Sequence, residues 1–374
     1  MALLNVLAGN VGKPGGVSFQ NRAQAFAKYG AEAALLATSP ESGYAGMRAA
    51  LEKMRGGAFR MAILSGATNP AFTLPPSLKF NEALSKVPFV VAFASFLDET
   101  TSLADLVLPV PTALEAWGDD LAPVGHAGAV TLCQPVVEPF HDTRSMPDVL
   151  IAAASELGGE PAKALPWRSF KECLDKAYGG PGGEMEKALQ RGGFFGESSS
   201  PQSAARTGNI ALPKTTERPI DGDPKAFPLA LHLYPSITLY DGRGANLPWL
   251  QEMPDPISTA VWRNWIEVNP KTAAGLGLAE GDGVTVTSPS GKITAHVAFN
   301  PGVAPDVAAM PLGQGHTRYG KYANGRGENP ITLLPAGETY ALQATRVALA
   351  KTKLSTTLAR TGHPEGQWKV KNMM

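Results

Sequence analysis

The sequence has 374 residues, 44% of them hydrophobic, with 33 basic and 33 acidic side chains and no formal net charge. That length suits two domains better than one, and the balanced charge argues against backbone-driven nucleic-acid binding. Two cysteines, Cys133 and Cys173, are too few for a four-cysteine zinc site or an iron–sulfur cluster in this chain. Two buried free thiols are the expectation.

Charged residues make up 18%, against about 25% in ordinary domains, which fits a surface partly covered by a partner. No run of about 20 apolar residues occurs, and no basic segment precedes an apolar stretch at the beginning. Neither a membrane span nor a secretory signal is therefore expected. The opening MALLNVLAGNVGKPGG reads as the end of a helix entering a glycine-rich turn, as in a chain entered mid-domain.

Residues 40–55 are predicted helical, followed by the strand RMAILSG (60–66), the loop ATNPAFTLP, the helical SLKFNEALSK and the strand FVVAFASF (89–96). Apolar strands alternating with helices predict an α/β domain with a parallel sheet. Ligands of such sheets bind beyond the carboxyl ends of the strands, so the loops starting at Gly66 and Leu97 are where a site is expected. From 157 to 225 the pattern weakens into a glycine- and serine-rich stretch, read as a surface excursion or linker.

A second organised region begins near Phe227. In WIEVNPKTAAGLGL, Asn269 can cap a short helix with Pro270 at its first position. EGDGVTVTS leads into an alternating strand, and SPSGKITAHVAF into its hairpin partner. Short strands with little helix predict a barrel. Residues 351–374 carry no strong pattern.

The chemistry-bearing residues leave alternatives open. Gly66 and Asn69 in SGATNP could cradle a nucleotide or simply form an Asn-Pro turn. Asp98 could accept paired hydrogen bonds from a guanine edge, or cap a local turn. Glu99 could be a solvated charge, and Asp105 a turn or cap residue. Arg243, between glycines in DGRG, could meet a pyrophosphate or mark an exposed hairpin turn. The stretch PLGQGHTRYGKYANGRGENP gathers His316, Thr317, Tyr319 and Asn329 in a loop too polar to be simple packing. The sequence holds no GxGxxG after a strand, GKS/T loop, HExxH or GxSxG. Its six scattered histidines suggest no metal site, and His232 and His296 fall in expected strands.

Together these segments resemble the C-terminal half of the molybdopterin oxidoreductase (dimethyl sulfoxide reductase) family. The resemblance rests on ALLNVLAGNVGKPGG, SGATNP, FLDETTSLADLVLPVPTALEAWG and the block from IEVNPKTAAGLGLAEGDGVTVTSPSGKI to GENPITLLP. LYDGRGANLPWLQEMPDP and PLGQGHTRYGKYANGRGENP are most similar to the polysulfide-reductase-like branch and to alternative complex III large subunits. The resemblance implies an α/β parallel-sheet domain fragment followed by a double-psi β-barrel of the molybdopterin-dinucleotide-binding type. It divides the chain into a partial α/β cofactor-binding domain (1–156), an insertion or linker (157–225), the barrel (226–350) and a tail (351–374).

It further implies molybdenum or tungsten bis(molybdopterin guanine dinucleotide), shared with a partner carrying the N-terminal half, and no iron–sulfur cluster in this chain. Gly66, Asn69, Asp98, Glu99 and Thr100 would surround one guanosine portion. Gly242, Arg243, His316, Thr317 and Asn329 would approach the cofactor from the barrel. The family's N-terminal cysteine cluster and its metal-ligating residue have no counterpart here, so no metal ligand and no catalytic residue is expected. The implied partners are an iron–sulfur electron-transfer subunit and a membrane quinone-binding subunit, through which the chain would be membrane-associated. The alternative is a cofactor-free scaffold subunit of a membrane respiratory complex.

Overall fold

The computed structural model describes residues 2–10, 13, 16–17, 43–66, 68–121, 129–179, 183–195, 220–337 and 341–361. The glycine-rich turn expected at 12–16 and the end of the tail lie largely outside them. In chain order, α1 (Ala2–Leu7) is followed by α2 (Tyr44–Arg55), β1 (Ala62–Ser65), the single turn α3 (Pro70–Thr73), α4 (Phe80–Leu84), β2 (Val90–Ala94) and β3 (Leu106–Pro109). Then come β4 (Gly118–Leu121), β5 (Ala129–Cys133), α5 (Met146–Leu157), α6 (Gly159–Ala164), α7 (Phe170–Tyr178), α8 (Glu184–Arg191) and β6 (Gly193–Phe195). The rest comprises β7 (Leu229–Tyr234), α9 (Pro248–Glu252), β8 (Trp265–Val268), α10 (Pro270–Gly275), β9 (Gly283–Thr287), β10 (Lys292–Phe299), β11 (Val307–Pro311) and β12 (Arg346–Lys351).

The chain forms two compact units, each discontinuous in sequence: Met1–Pro40 with Leu108–Thr216, and Glu41–Val107 with Glu217–Met374. In the first, β4, β5 and β6 form an antiparallel sheet against which α7 and α8 bury Leu174, Tyr178, Met185 and Ala188. The Tyr178 hydroxyl donates to Asp119 Oδ2 at 2.7 Å, and burial with that carboxylate pushes the phenol's pKa upward. The stretch read from sequence as an excursion thus contains α6, α7, α8 and β6; residues 196–219 lie outside the described residues. Cys173 is buried as expected, but Cys133 ends β5 with its side chain exposed, so only one thiol is a core residue.

The second unit carries the expected parallel pairing. β1 and β2 run parallel with Ala62 opposite Val90 and Ser65 opposite Phe93, and β3 follows on the far side of β2. Leu51 of α2 and Leu84 of α4 pack with Leu78, Phe80, Val87 and Val90 into one cluster. Asp105 closes the start of β2, its Oδ2 accepting from the Val90 amide at 2.8 Å while its own amide donates to the Val90 carbonyl at 2.9 Å. At the end of β1 the chain passes so near β2 that a Cβ on Gly66 would lie 2.6 Å from the Phe93 carbonyl oxygen. Only glycine fits there.

The remaining six strands close a barrel in the order β10, β8, β11, β7, β12, β9. Pairs β10–β8 and β11–β7 are parallel, whereas β9–β10, β12–β9, β12–β7 and β11–β8 are antiparallel. Strand alternation fills it: Leu229, Leu231 and Leu233 of β7 and Val284 and Val286 of β9 point inward with Ile266, Val268, Val297 and Met310. Fully burying each such side chain is worth roughly 1.5–3 kcal/mol. Asn269 caps α10 as its position before Pro270 predicts, accepting from the Lys271 amide at 3.0 Å.

Candidate functional site

Two loops at the carboxyl ends of β1 and β2 meet the turns of the barrel, all within the second unit. Asn69 ends the β1 loop, and its main-chain carbonyl accepts from the amides of Phe72 and Thr73, setting α3. Its side chain turns away to the β2 loop. Asn69 Nδ2 donates to Glu99 Oε2 at 2.7 Å, while Asn69 Oδ1 accepts from the Thr100 hydroxyl at 2.6 Å and the Thr100 amide at 3.2 Å. Thr100 Oγ1 in turn accepts from the Ala71 amide at 2.9 Å. Thus an amide side chain uses both of its ends to bind two strand-end loops together.

Glu99 also reaches the barrel. Its Oε1 accepts from the amides of Thr317 (2.7 Å) and Arg318 (3.1 Å), and both its oxygens face His316 Nδ1 at 3.1 and 3.2 Å. Burial alone would raise the Glu99 pKa, but the hydrogen bonds and charge of His316, with Asn69 and Thr317, outweigh it and hold the carboxyl down at about 2. On its other edge His316 Nε2 lies 3.1 Å from the Gly242 carbonyl, and its face stacks on Phe72 at 3.7 Å. Gly242 has φ 111°, and a Cβ there would sit 2.6 Å from the Phe72 ring and 2.7 Å from His316 Nε2. Asn329 completes the seam by donating from Nδ2 to the Phe72 carbonyl at 2.7 Å while Oδ1 caps the following turn.

Gly66, Asn69, Phe72, Thr73, Asp98, Asp241, Gly242, Arg243, His316 and Tyr319 line a cleft of about 30 Å³. Asp98 is buried. Its Oδ1 accepts from the Thr101 amide at 2.7 Å, and its own amide donates to Thr101 Oγ1 at 2.6 Å. The local-cap reading of Asp98 is therefore realised at one oxygen; Oδ2 takes no hydrogen bond from the described residues. Arg243 forms a two-pronged pair with Asp241, Nε to Oδ1 at 2.9 Å and Nη2 to Oδ2 at 2.8 Å. Burial would raise the Asp241 pKa, yet these contacts lower it overall. Burial and the nearby Asp98 charge raise that of Tyr319, whose hydroxyl donates to the Arg243 carbonyl at 2.8 Å.

All ten residues singled out in the sequence lie in this region. Asn69, Glu99, Thr100, His316, Thr317 and Gly242 join in one network, and Asn329 meets it through Phe72. Asp98 and Arg243 line the cleft beside it, and Gly66 shapes the β1 end. Phe72 and Asp241 were missed, although Asp241 stands two residues before Arg243, a spacing that lets an arginine fold back on its own turn. Among the described residues no group of three or more His, Cys, Asp or Glu could hold a metal ion.

This barrel, docked on the ends of a parallel sheet, is the architecture of a molybdopterin dinucleotide-binding module. Residues 250–345 match the molydopterin dinucleotide binding domain family, and β7 and β12, just outside that span, close the barrel. The chain belongs to the molybdopterin oxidoreductase (dimethyl sulfoxide reductase) family. It is 35% identical over 284 residues to the menaquinone reductase molybdopterin-binding-like subunit of Nitratidesulfovibrio vulgaris (strain Hildenborough), covering 73% of this chain and 38% of that one. It is 25% identical over 345 residues to the arsenate respiratory reductase molybdopterin-containing subunit ArrA of Shewanella sp. (strain ANA-3), covering 71% and 40%. Acetylene hydratase from Pelobacter acetylenicus shares the fold at a TM-score of 0.64 and 17% identity, over 81% of this chain and 46% of that one. The chain spans about two-fifths of the length of the curated relatives it matches. Among the described residues no helix is long and apolar enough to cross a membrane.

Proposed function

We propose that this chain supplies the dinucleotide side of a molybdopterin cleft in a quinone-linked electron-transfer complex, working with a partner that carries the N-terminal half. The observation that carries this reading is Asp98: a buried carboxylate with one oxygen uncommitted, at the carboxyl end of a parallel strand, facing a cleft. A carboxylate has about four lone-pair sites, so Oδ2, with the spare capacity of Oδ1, suits the paired donors of a guanine edge. The residues fit the group as one wall only. About 30 Å³ holds a water or two, so the body of a dinucleotide would lie beyond the cleft, against the partner.

When bound, the molybdenum or tungsten cofactor supplies the redox chemistry. This chain's residues bind and orient. Asn69 and Glu99 fix the two strand-end loops, Gly66 admits the close backbone, and Asp98 reads the base. Arg243, committed to Asp241, would turn toward a pyrophosphate only by leaving that pair. Electron transfer would pass through an iron–sulfur subunit and a membrane quinone-binding subunit; the Nitratidesulfovibrio relative is by name a subunit of a menaquinone reductase. Within this reading residues 1–156 form the partial α/β part, 157–225 an insertion, 226–350 the barrel and 351–374 a tail.

A cofactor-free scaffold is the second reading, favoured by a specific observation: Glu99, Asn69, His316 and Arg243 spend their polar groups on one another. Metal and pterin analysis of the native complex separates the two. Bound metal and dinucleotide, with retention lowered several-fold in Asp98→Ala, supports the first. A stable complex without either supports the scaffold, and a loaded Asp98→Ala complex with unchanged retention removes Asp98 from the site.

A further inference from the structure

His316 is 2% exposed, yet each of its ring nitrogens faces an oxygen. Nε2 meets the Gly242 carbonyl, which can only accept, at 3.1 Å. Nδ1 meets the Glu99 carboxylate, which also accepts from Asn69, Thr317 and Arg318 and has no proton to give. A neutral imidazole has one N–H, so its bare nitrogen would point a lone pair at the facing oxygen, at hydrogen-bond distance and with no proton between them. Turning the ring over exchanges nitrogen for carbon and loses both contacts. The Phe72 ring lies parallel to the imidazole, 10° from coplanar at 3.7 Å, an arrangement favourable to a cation.

We propose that His316 is held with both nitrogens protonated, as a cationic latch fastening the Glu99 loop to the Gly242 turn of the barrel. It is a positioning residue, not a ligand of the cofactor, because neither N–H remains to point outward. This departs from the role that the family resemblance implies for it. The groups around the ring are Glu99 on Nδ1, Tyr319 with its ring 4.8 Å away, and Asp98 and the Asp241–Arg243 pair along the same cleft. With His316 neutralised by Glu99 and Arg243 by Asp241, Asp98 is the one uncompensated charge among the cleft-lining residues. That leaves a cleft suited to donor edges and unsuited to phosphate.

The inference rests on the proposed function only for what occupies the cleft; the test below needs no cofactor, so the two can fail separately. The full chain is labelled with ¹⁵N-histidine and its ring nitrogens are read by long-range ¹H–¹⁵N correlation at pH 7.5, where an ordinary histidine is about tenfold more neutral than charged. His316→Gln identifies the signal; if that variant does not fold, the ring signal with close contacts to the stacked Phe72 ring protons does so. Two protonated nitrogens in the wild type, reverting to a neutral tautomer in Glu99→Gln, are expected. A neutral ring in the wild type overturns the latch, and so does a charged ring indifferent to Glu99→Gln.

Discussion

Glu99 illustrates how a single residue can look dispensable in a sequence and be central in the fold. Read in place, it is a charge in a turn between Asp98 and Thr100. Its partners come from Asn69, thirty positions earlier, and from His316, separated from it by 217 positions. No local pattern encodes such a pairing, so the strand-end rule locates the loop, while Glu99 itself reads as either a solvated charge or, through the family resemblance, a cofactor contact. A pH dependence follows. Its folded-state pKa of about 2 lies below the ordinary 4.5, so Glu99 contributes stability above about pH 4.5 and loses it as pH falls toward 2. Urea unfolding should show wild-type stability falling by on the order of 2 kcal/mol more than that of Glu99→Gln between pH 5 and pH 3. Parallel pH profiles for the two proteins would remove Glu99 as the source.

At the scale of elements, legibility followed capping chemistry. The sequence NPKT announces α10 because asparagine before proline offers both a side-chain acceptor and a preset φ, and the SPSG turn announces the β9–β10 hairpin. Equivalent signals were present but unread farther upstream. Ser169 accepts from the Glu172 amide to open α7, and Ser145 does the same for Asp148 at α5, both in the serine-x-x-acid spacing. Ser169 stands in the 157–225 stretch, whose glycines and serines point to looseness instead, and Ser145 lies before it. What no element-level pattern could supply was the strand order of the barrel, because parallel pairs such as β11–β7 join segments about eighty residues apart. Asn269 shows how much one cap can add. Beyond opening α10, its Nδ2 donates to the Val303 carbonyl at 2.8 Å, tying the β8–α10 corner to the approach to β11. Asn269→Ala should therefore cost about 2 kcal/mol, cap and bridge together, in chemical denaturation, whereas Asn269→Asp, which keeps only the cap, should cost about half as much.

At the scale of the whole molecule, β2 of the parallel sheet is buried on both faces, whereas the described residues leave the β1 edge partly open. Sheets of parallel strands occur with helices or other layers on both faces, because neither face of such strands is polar. Here α2 and α4 cover the side of Ala62, Leu64 and Val90. Toward the other side, Met61 and Ile63 stand 50% and 42% exposed, beside and on β1, an edge strand whose outer hydrogen-bonding groups have no strand neighbour among the described residues. An apolar edge of this kind invites pairing with another chain. If a partner bearing the N-terminal half of the cleft completes the sheet, β1 is where its backbone would run alongside. Ile63→Lys places a charge on that face without touching the cluster beneath. The substitution should leave the melting temperature of the isolated chain within a few degrees of the wild type, since exposed sites contribute little. It should also abolish co-purification with the partner and reduce self-association of the isolated chain. Retention of the partner at wild-type stoichiometry would move the junction away from β1, and the completing surface would then have to be sought elsewhere on the second unit.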